Sequence, residues 1–361
     1  MIPFFVWFLL FALPFVVIPI GISPFEAPKV VIAEFVIDIL LFLKIISFKK
    51  AHFKRLLSDQ TILLGILLIL SLDQLLLFYP FQNFFGNQYR LQGVFLFWHL
   101  IIFSFISKDI ILSQIPRFFY NLSFIFLLLA TIILGVDSNY RAFGTLGEPN
   151  ALAATILFIF PFVYFKNNTL TKIALTLSAL LLIVLSGSRA GLIGLGIEIL
   201  FITLVSTLKR PLTRAVSICF IFVFLSLIFP FTEKSGLFEN RDKIWHTAIQ
   251  AGLESPILGA GFGNIQNPLH QTAVKLDNPI QYITVDSAHN FILDWWIQGG
   301  VVGVISILTL IFLSFQGLIR RKKVSKITAF LGIITALMFN PLSIVNLLAF
   351  WWLIGQGFSE S

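Results

Sequence analysis

Three side chains of the sequence could together hold a phosphorylated ligand and activate an alcohol: Arg189, Arg241 and His289. A guanidinium is permanently charged and matches two phosphate oxygens with parallel N–H donors. A neutral imidazole, with an ordinary pKa of about 6.5, can accept a proton from a hydroxyl at neutral pH. Because an arginine is rarely left in an apolar setting without a partner, these residues predict a site for a phosphorylated, membrane-bound substrate.

Ordinary structural roles for Arg189 and His289 stay open. Arg189 lies in Ser186–Gly191, a tight link between two apolar runs, where small residues let backbones approach closely. An arginine in such a link can also anchor a helix by extending its charge to lipid headgroups. His289 and Asn290 precede a short apolar stretch, and this histidine could simply cap a helix or hydrogen-bond a loop.

Arg241 begins a predicted amphipathic helix. One helical stripe is formed by Arg241, Ile244, Trp245, Ala248, Ile249 and Leu253. Such a helix can lie on the bilayer or cap the membrane spans. An arginine on its apolar stripe needs an anion. A phosphate ligand could supply it, and so could the nearby carboxylates of Glu239, Asp242 or Glu254.

Two polar segments add further candidates. Gly86–Gly93 contains Arg90, and Gly144–Asn150, with Arg141 just before it, contains Glu148, a possible second acid or base. Pro149 and Asn150 themselves are ordinary residues for the start of a helix. The residues predicted to contact substrate are Arg90, Arg141, Glu148, Trp245 and Asn290.

The composition is that of an integral membrane protein. Hydrophobic residues make up 58% of the 361 residues and charged residues only 12%, against roughly 45–50% and about 25% in soluble domains. Apolar runs of about 20 residues recur, and each could span the hydrocarbon core as a helix. The sequence therefore predicts an all-α, polytopic transmembrane helical bundle that forms one integral membrane domain over residues 1–361.

About twelve spans are predicted from these runs. They are 3–22, 28–48, 60–79, 93–107, 118–135, 150–165, 171–186, 191–208, 214–231, 296–317, 326–341 and 345–358. The loop between the ninth and tenth spans, residues 231–295, is long and richer in charge, Gly, Pro and Asn than the rest. Within this loop, residues 255–263 are predicted to form turns.

Lysine and arginine positions predict the orientation. If the N-terminus is cytoplasmic, 16 of the 25 basic residues lie in cytoplasmic loops, and Lys44 lies at the cytoplasmic end of the second span. The other eight, Arg189 and Arg241 among them, lie at or near the opposite face. The positive-inside rule then places residues 231–295 on the outer face. The net charge of +8 thus reflects topology rather than nucleic-acid binding.

Acidic residues inside the predicted spans support a competing function. Glu34 and Asp38 are four residues apart in the second span, Asp73 lies in the third and Glu198 in the eighth. Buried carboxylates can be proton relays, as in a transporter or a lipid-linked-oligosaccharide flippase, and they can equally be ion-pair partners. Transporters usually enclose a central polar cavity, whereas the cationic candidates gather at one face, which favours surface chemistry.

The sequence contains no recognisable metal or nucleotide motif. His246, His270 and His289 are too widely spaced for a metal pattern. The segment Gly259-x-Gly261-x-Gly263 lacks the P-loop lysine of a nucleotide site. We therefore expect no metal and no cofactor. Cys219 is the only cysteine, so no disulfide can form within the chain.

Several short motifs follow one another in a specific order. They are Gly86–Gly93, Gly144–Asn150, Ser186–Gly191, Arg241-x-x-x-Trp245, Pro256-Ile257-Leu258-Gly259-x-Gly261-x-Gly263, Ala288-His289-Asn290 and Gly299–Gly303. This order, with a long outward loop between the ninth and tenth spans, resembles the O-antigen ligase and O-antigen polymerase superfamily of bacterial membrane glycosyltransferases. The resemblance covers about residues 60–310, and the flanking spans match only in hydropathy.

The resemblance implies a metal-independent enzyme of the bacterial inner membrane that acts in surface polysaccharide assembly. It would move a glycan from undecaprenyl diphosphate to a glycan, lipid or protein acceptor on the periplasmic face. Phosphate and donor contacts would fall to Arg189 and Arg241, and acceptor activation to His289, with Arg90 and Arg141 as further contacts. Ligase, polymerase and protein glycosyltransferase differ in their acceptor, which the residues do not identify.

Overall fold

The computed structural model describes residues 1–19, 23–47, 65, 67–68, 71, 80–110, 115–134, 136, 140–206, 218–219, 241–278, 285–340 and 343–359. These residues form thirteen helices and no β-strand, so the all-α prediction is confirmed. The helices are α1 (Ile2–Phe15), α2 (Ala27–Ile46), α3 (Pro80–Phe85), α4 (Val94–Ser107), α5 (Arg117–Ile133), α6 (Pro149–Tyr164), α7 (Thr169–Ser186), α8 (Arg189–Ser206), α9 (Arg241–Leu253), α10 (Gln266–Lys275), α11 (Phe291–Arg320), α12 (Val324–Leu337) and α13 (Ile344–Gly357).

Two of the described helices, α7 and α11, are long and apolar enough to cross a membrane by length and composition. Six more, α1, α4, α5, α6, α12 and α13, are apolar but shorter. A helical membrane protein is therefore plausible, whereas the predicted number of twelve spans is not confirmed. The predicted spans 60–79 and 214–231 lie almost entirely outside the described residues.

Helix α1 is shorter than the predicted span 3–22. It changes from α-helix to a π-helical turn at Phe8–Ala12 and to a 3₁₀ turn at Leu13–Phe15. Pro14 has no N–H with which to continue the α-helical pattern. Val16 adopts an extended conformation, and its N–H closes the last turn on the Leu13 carbonyl at 3.0 Å.

Helix α11 begins five residues before the predicted span 296–317 and is broken inside. Gly300 has φ 57° and ψ −158°, which is not helical. A turn at residues 256–261 satisfies the backbone groups that the break exposes. The N–H groups of Ala260 and Gly261 donate to the carbonyls of residues 297 and 298 at 2.8 and 3.2 Å, and the N–H of Val301 donates to that of Pro256 at 2.9 Å.

The close backbone contact explains the glycines of this region. A Cβ at Gly300 would lie 2.5 Å from the carbonyl carbon of Ile257, a distance that no side chain can occupy without moving the turn. Residues 255–263 form turns, as predicted. Irregular backbone at membrane depth is tolerated only where protein buries it, and here two glycine-rich segments bury each other.

Helices α6, α12 and α13 form the centre of the bundle. They are buried on all sides, which requires helices that are apolar all round. Outer helices instead expose rows of large apolar side chains. Examples are Ile125, Leu129 and Ile132 on α5, Leu177 and Val184 on α7, and Ile305, Leu308 and Phe312 on α11. Contiguous exposed apolar rows of this kind suit contact with lipid tails.

The polar residues gather at the two ends of the bundle. We call one the site end: it contains the segments that precede α2, α4, α6, α11 and α13, together with α9. We call the other the basic end: it contains the chain between α6 and α7 and the chain between α11 and α12, with Lys166 and Arg321. Which end faces the cytoplasm stays a prediction.

Candidate functional site

Arg90 is the centre of the polar cluster at the site end. Its loop is tight, since Gly86 has φ 78° and the Arg90 N–H donates to the Asn87 side chain at 2.8 Å. The Arg90 guanidinium hydrogen-bonds Asp286, a residue 196 positions later, and lies 3.6 Å from Glu148. Although burial works to lower it, the pKa of Arg90 is held above its usual value by these carboxylates. Three separate chain segments therefore meet at one buried cation.

Glu148 stands at the start of α6, next to Gly147, whose φ of 73° brings it against the ring of Phe25. Burial raises the pKa of Glu148 to about 7, although the charge of Arg90 opposes this shift. The side chain keeps 26% of its surface exposed. The structure thus supplies a carboxyl group that titrates near neutral pH, within reach of a buried arginine.

Arg141 and Lys29 fix the segment that carries Glu148. Arg141 donates from Nε to the Ser186 carbonyl and from Nη2 to the Asn150 side chain, both at 3.0 Å. Lys29 is fully buried and donates to the Thr145 carbonyl at 2.7 Å. Both cations therefore contact protein oxygens, and the substrate contact predicted for Arg141 stays a prediction.

His289 is held in a strained turn just before α11. Its φ is 53°, unusual for a residue with a side chain. The preceding N–H of Ala288 donates to Asp294 at 2.7 Å, and the N–H of His289 donates to Ser287 at 3.2 Å. Positive φ at a non-glycine residue persists only where the surroundings impose it, and both of these hydrogen bonds fix the turn.

The His289 imidazole is uncharged at neutral pH. Burial, together with the positive charges of Arg241 and Arg90, lowers its pKa to about 4, while Asp286 opposes this shift. Its Nε2 atom is buried and has no hydrogen-bond partner among the described residues. The site therefore contains an imidazole nitrogen that can accept a hydrogen bond or a proton.

Asn290 caps α11. Its side-chain oxygen accepts the N–H groups of Ile292 and Leu293 at 3.0 and 3.1 Å, the usual contribution of an N-cap asparagine. Asn290 thus keeps the end of α11 fixed beside His289, and its predicted contact with substrate stays a prediction.

Helix α9 carries Arg241 to His289, and its buried face differs from the predicted stripe. Ile244, Trp245 and Ala248 are buried as predicted, whereas Ile249 and Leu253 are exposed. The helix is turned because Gly252 lies against Trp296 of α11, whose ring N–H donates to the Ile249 carbonyl at 3.1 Å. The ring of Trp245, buried 6.2 Å from that of Phe339, anchors the turn of α9 that follows Arg241.

Arg189 is exposed at the start of α8, two residues after Gly187, which packs against the stem of Arg141. Arg141 donates to the Ser186 carbonyl and to the Asn150 side chain, so Arg189 belongs to the site end. The structure links Arg241 to His289 electrostatically, whereas a phosphate contact of Arg189 stays a prediction.

Sequence reasoning identified Glu148 but missed the other acidic members of the cluster. Asp286 pairs with Arg90, Asp294 fixes the His289 turn, and Glu26 accepts the N–H of Ile344 at 3.0 Å. The cluster is therefore a mixture of both charges rather than a positive patch. The one available signal was the spacing Asp286-x-x-His289, which puts a carboxylate close to the histidine.

The intramembrane acids considered for transport lie outside the cluster. Asp38 of α2 lies 3.2 Å from His99 of α4, and its neighbour Glu34 is one turn away. Glu198 is fully buried in α8, and neither of its oxygens has a hydrogen-bond partner among the described residues. Asp73 lies outside the described residues. Asp38 and Glu198 thus lie against different helices, since Glu198 packs against Gly332 of α12. A transport role stays an alternative.

An apolar cavity adjoins the cluster. It has a volume of about 60 Å³ and is lined by α4, α11, α13 and the turn at Phe262 and Gly263. Its lining includes Gln92 and Phe291, which stand two residues from Arg90 and His289. Stacked rings of Phe97 and Phe262, with centroids 4.7 Å apart, form part of its wall.

A comparison with protein families adds independent information. Residues 173–308 match the family described as O-antigen ligase, which confirms the resemblance to the O-antigen ligase and polymerase superfamily. The match includes Arg189, Arg241 and His289, whereas Arg90 and Glu148 precede it. It indicates an enzyme of glycosyltransferase or ligase type in surface polysaccharide assembly, with a lipid-linked glycan and an acceptor as partners. None of the curated proteins matches the chain.

Proposed function

We propose, from the premise that the chain resembles O-antigen ligases, that it transfers a glycan from undecaprenyl diphosphate to an acceptor hydroxyl without a metal ion. The observation that carries this proposal is the meeting of Arg241 and His289, whose charge and imidazole act on each other electrostatically. They lie at one end of an apolar bundle, beside a small apolar cavity.

The chemistry needs a base and fixed positive charge. The acceptor oxygen attacks the anomeric carbon, the bond from that carbon to the diphosphate breaks, and the diphosphate keeps the electron pair. The acceptor proton passes to Nε2 of His289, which has no hydrogen-bond partner among the described residues. Arg241 stabilises the charge that grows on the departing diphosphate, an effect of several kcal/mol in a site of low water content. A single displacement of this kind inverts the anomeric centre.

Donor binding would strengthen the base. With a pKa of about 4, the imidazole accepts a proton only weakly. Burial is the main cause of this low pKa, and the charge of Arg241 adds to it. A bound diphosphate adds negative charge beside Arg241. Since a nearby anion favours the charged imidazolium, the pKa of His289 rises toward neutral when the donor is in place.

Arg90 is assigned a positioning role in this mechanism. Its charge is already balanced by Asp286 and Glu148, so it organises the segments around the substrate rather than gripping a phosphate. Arg189 is exposed at the site end and suits a phosphate or headgroup that enters from outside. The positive-inside rule supports an outer-face site in the bacterial inner membrane. Lipid, glycan and protein acceptors are all compatible with this chemistry.

The proposal is tested by reconstitution with undecaprenyl-diphosphate-linked glycan and candidate acceptors, measuring product and released diphosphate lipid. His289→Ala should lower the rate by about 10²–10⁴, the usual contribution of a general base. Arg241→Ala should lower it by about 10²–10³. Arg189→Ala should abolish transfer while the protein stays folded and inserted.

Two exposed residues of α9 provide matched controls. His246→Ala and Lys243→Ala remove an imidazole and a cation from the opposite side of the same helix, and both variants should keep the wild-type rate. Normal product from Arg241→Ala would exclude the proposed charge stabilisation. A His289→Ala rate close to that of wild type would leave the histidine only a structural role.

A further inference from the structure

The chain between α12 and α13 contains a buried amide that none of the described residues satisfies. Asn340 is 1% exposed, and neither its side-chain oxygen nor its nitrogen has a hydrogen-bond partner in the described part of the chain. An unsatisfied buried amide costs free energy, and native structures keep few of them. An asparagine before proline is common in turns, but that preference does not require the side chain to be buried.

Other buried amides of the described chain differ from Asn340. Asn290 accepts two N–H groups, Asn167 donates to the Val163 carbonyl at 2.7 Å, and Gln356 donates to the Ser107 carbonyl at 2.6 Å. Each of these amides hydrogen-bonds a backbone group of the fold. Within the described ranges, the fold thus meets the hydrogen-bonding needs of these amides and leaves those of Asn340 open.

The residues on either side of Asn340 in the chain contact the polar cluster. On one side, Phe339 packs against Trp245, which stands one turn after Arg241 on α9. On the other side, Ile344 donates its N–H to Glu26, whose charge interacts with Arg90. The amide therefore belongs to the site end, at a position that the sequence motifs did not identify.

We propose that Asn340 is a binding residue for the donor, and that its amide hydrogen-bonds a hydroxyl or acetamido group of the sugar that carries the diphosphate. The amide both donates and accepts, as those two groups do. It carries no charge, so it suits a neutral sugar better than a phosphate. This inference rests on the proposed function and adds a specificity residue to it.

Asn340→Leu tests the inference, because leucine fills a similar volume without polar atoms. Two probes are used in detergent: a short-chain polyprenyl diphosphate, and the same lipid carrying one N-acetylhexosamine. We expect the variant to bind the sugar-bearing lipid about tenfold more weakly, as for the loss of one hydrogen bond. Its affinity for the bare diphosphate should stay within about twofold of wild type. Its melting temperature should be equal or higher, since a buried unsatisfied group is removed.

The same substitution at a satisfied amide is the control. Asn278 donates to Thr247 at 2.8 Å and to the Lys243 carbonyl at 3.1 Å, so Asn278→Leu should lower the melting temperature and leave the ratio of the two affinities unchanged. Equal weakening of both probes by Asn340→Leu, or no weakening of either, would overturn the inference. A lower melting temperature with unchanged sugar discrimination would do the same. If wild-type protein binds neither probe, the proposed function itself fails, and this inference fails with it.

Discussion

Both ends of the bundle contain cations, but the groups that neutralise these cations differ between the two ends. At the basic end, Arg117 donates to the Lys166 carbonyl at 3.0 Å, Arg321 donates to the Gln356 carbonyl at 3.2 Å, and Lys166 lies 3.7 Å from the Tyr120 ring. No salt bridge forms there within the described ranges. At the site end, Arg90 instead gathers Asp286 and Glu148.

This difference separates cations that contact carbonyls and rings from a cation that pairs with carboxylates. Carbonyls and rings stabilise a cation without adding a second charged group beside it. A buried arginine with carboxylates shifts the pKa of each partner and of neighbouring groups. Counting basic residues in loops finds both kinds equally, since the positive-inside rule depends on the number of charges and not on their surroundings.

Removing Arg90 from the site end and Arg117 from the basic end should give the largest difference in stability. Arg90→Ala leaves Asp286 and Glu148 buried without their partner and should cost about 3–5 kcal/mol of stability. Arg117→Ala removes an exposed charge and should change stability by no more than about 0.5 kcal/mol. Chemical denaturation in detergent measures both.

A second variant sharpens this contrast. In Arg90→Ala, adding Asp286→Asn should recover part of the lost stability, because one uncompensated buried charge is removed. Equal effects of Arg90→Ala and Arg117→Ala would show that the two ends do not differ in the way described.

The break in α11 should give the next effect, because this helix is broken near the site end and regular toward the basic end. Gly300→Ala places a Cβ 2.5 Å from the backbone of Ile257, at φ 57°, and should cost about 1–3 kcal/mol. A Cβ at Gly196 of α8 would instead meet no heavy atom within 4 Å among the described residues. Gly196→Ala should therefore be neutral or stabilising by up to about 1 kcal/mol. Melting temperatures of the two variants decide the comparison.

Glu148 should give an effect that is visible as a pH dependence. Its pKa is raised from 4.5 to about 7, so the folded state binds this proton more tightly than the unfolded chain. The resulting stability is present below about pH 4.5 and is lost as the pH rises through about 7. Wild type should therefore lose melting temperature relative to Glu148→Gln between about pH 5 and 8.

A carboxylate with the opposite shift provides the control for this pH series. Lys275 lowers the pKa of Glu254, so the stability from that pair is lost only as the pH falls below the ordinary range of a glutamate. Glu254→Gln should follow wild type between about pH 5 and 8. A parallel response of Glu148→Gln and wild type across this window would contradict the shift assigned to Glu148.

The sequence predicted what depends on local pattern. Apolar runs predicted the helices of the central bundle, since α6, α12 and α13 are apolar all round. The glycines of residues 255–263 predicted turns, and the conformational freedom of glycine is sufficient reason for them. Residue type and predicted face selected Arg241 and His289, which the fold brings together.

The rest depends on contacts between distant segments. Asp286 is 196 residues from Arg90, and the sequence around neither residue predicts that the two form a pair. The break at Gly300 requires a turn about 40 residues earlier to accept and donate its hydrogen bonds. Arg189 resembled Arg241 as a lone outward cation, but the short link after α7 leaves it exposed. Arg189 and Arg241 therefore have similar sequence contexts but differ in burial and in their contacts in the fold.

The contact between residues 256–261 and the break in α11 determines where substitutions or insertions can occur without moving His289. The turn that contains His289 leads directly into α11, which continues as an apolar helix. Backbone hydrogen bonds fix α11 to the turn after α9, and the ring N–H of Trp296 donates to the Ile249 carbonyl of α9. Substitutions or insertions at exposed positions beyond this contact, around Lys275 for example, would remodel the outer surface without displacing His289. Under the proposed mechanism, the outer surface around Lys275 and the base His289 would therefore belong to separate structural units, so that changes in that surface leave His289 in place.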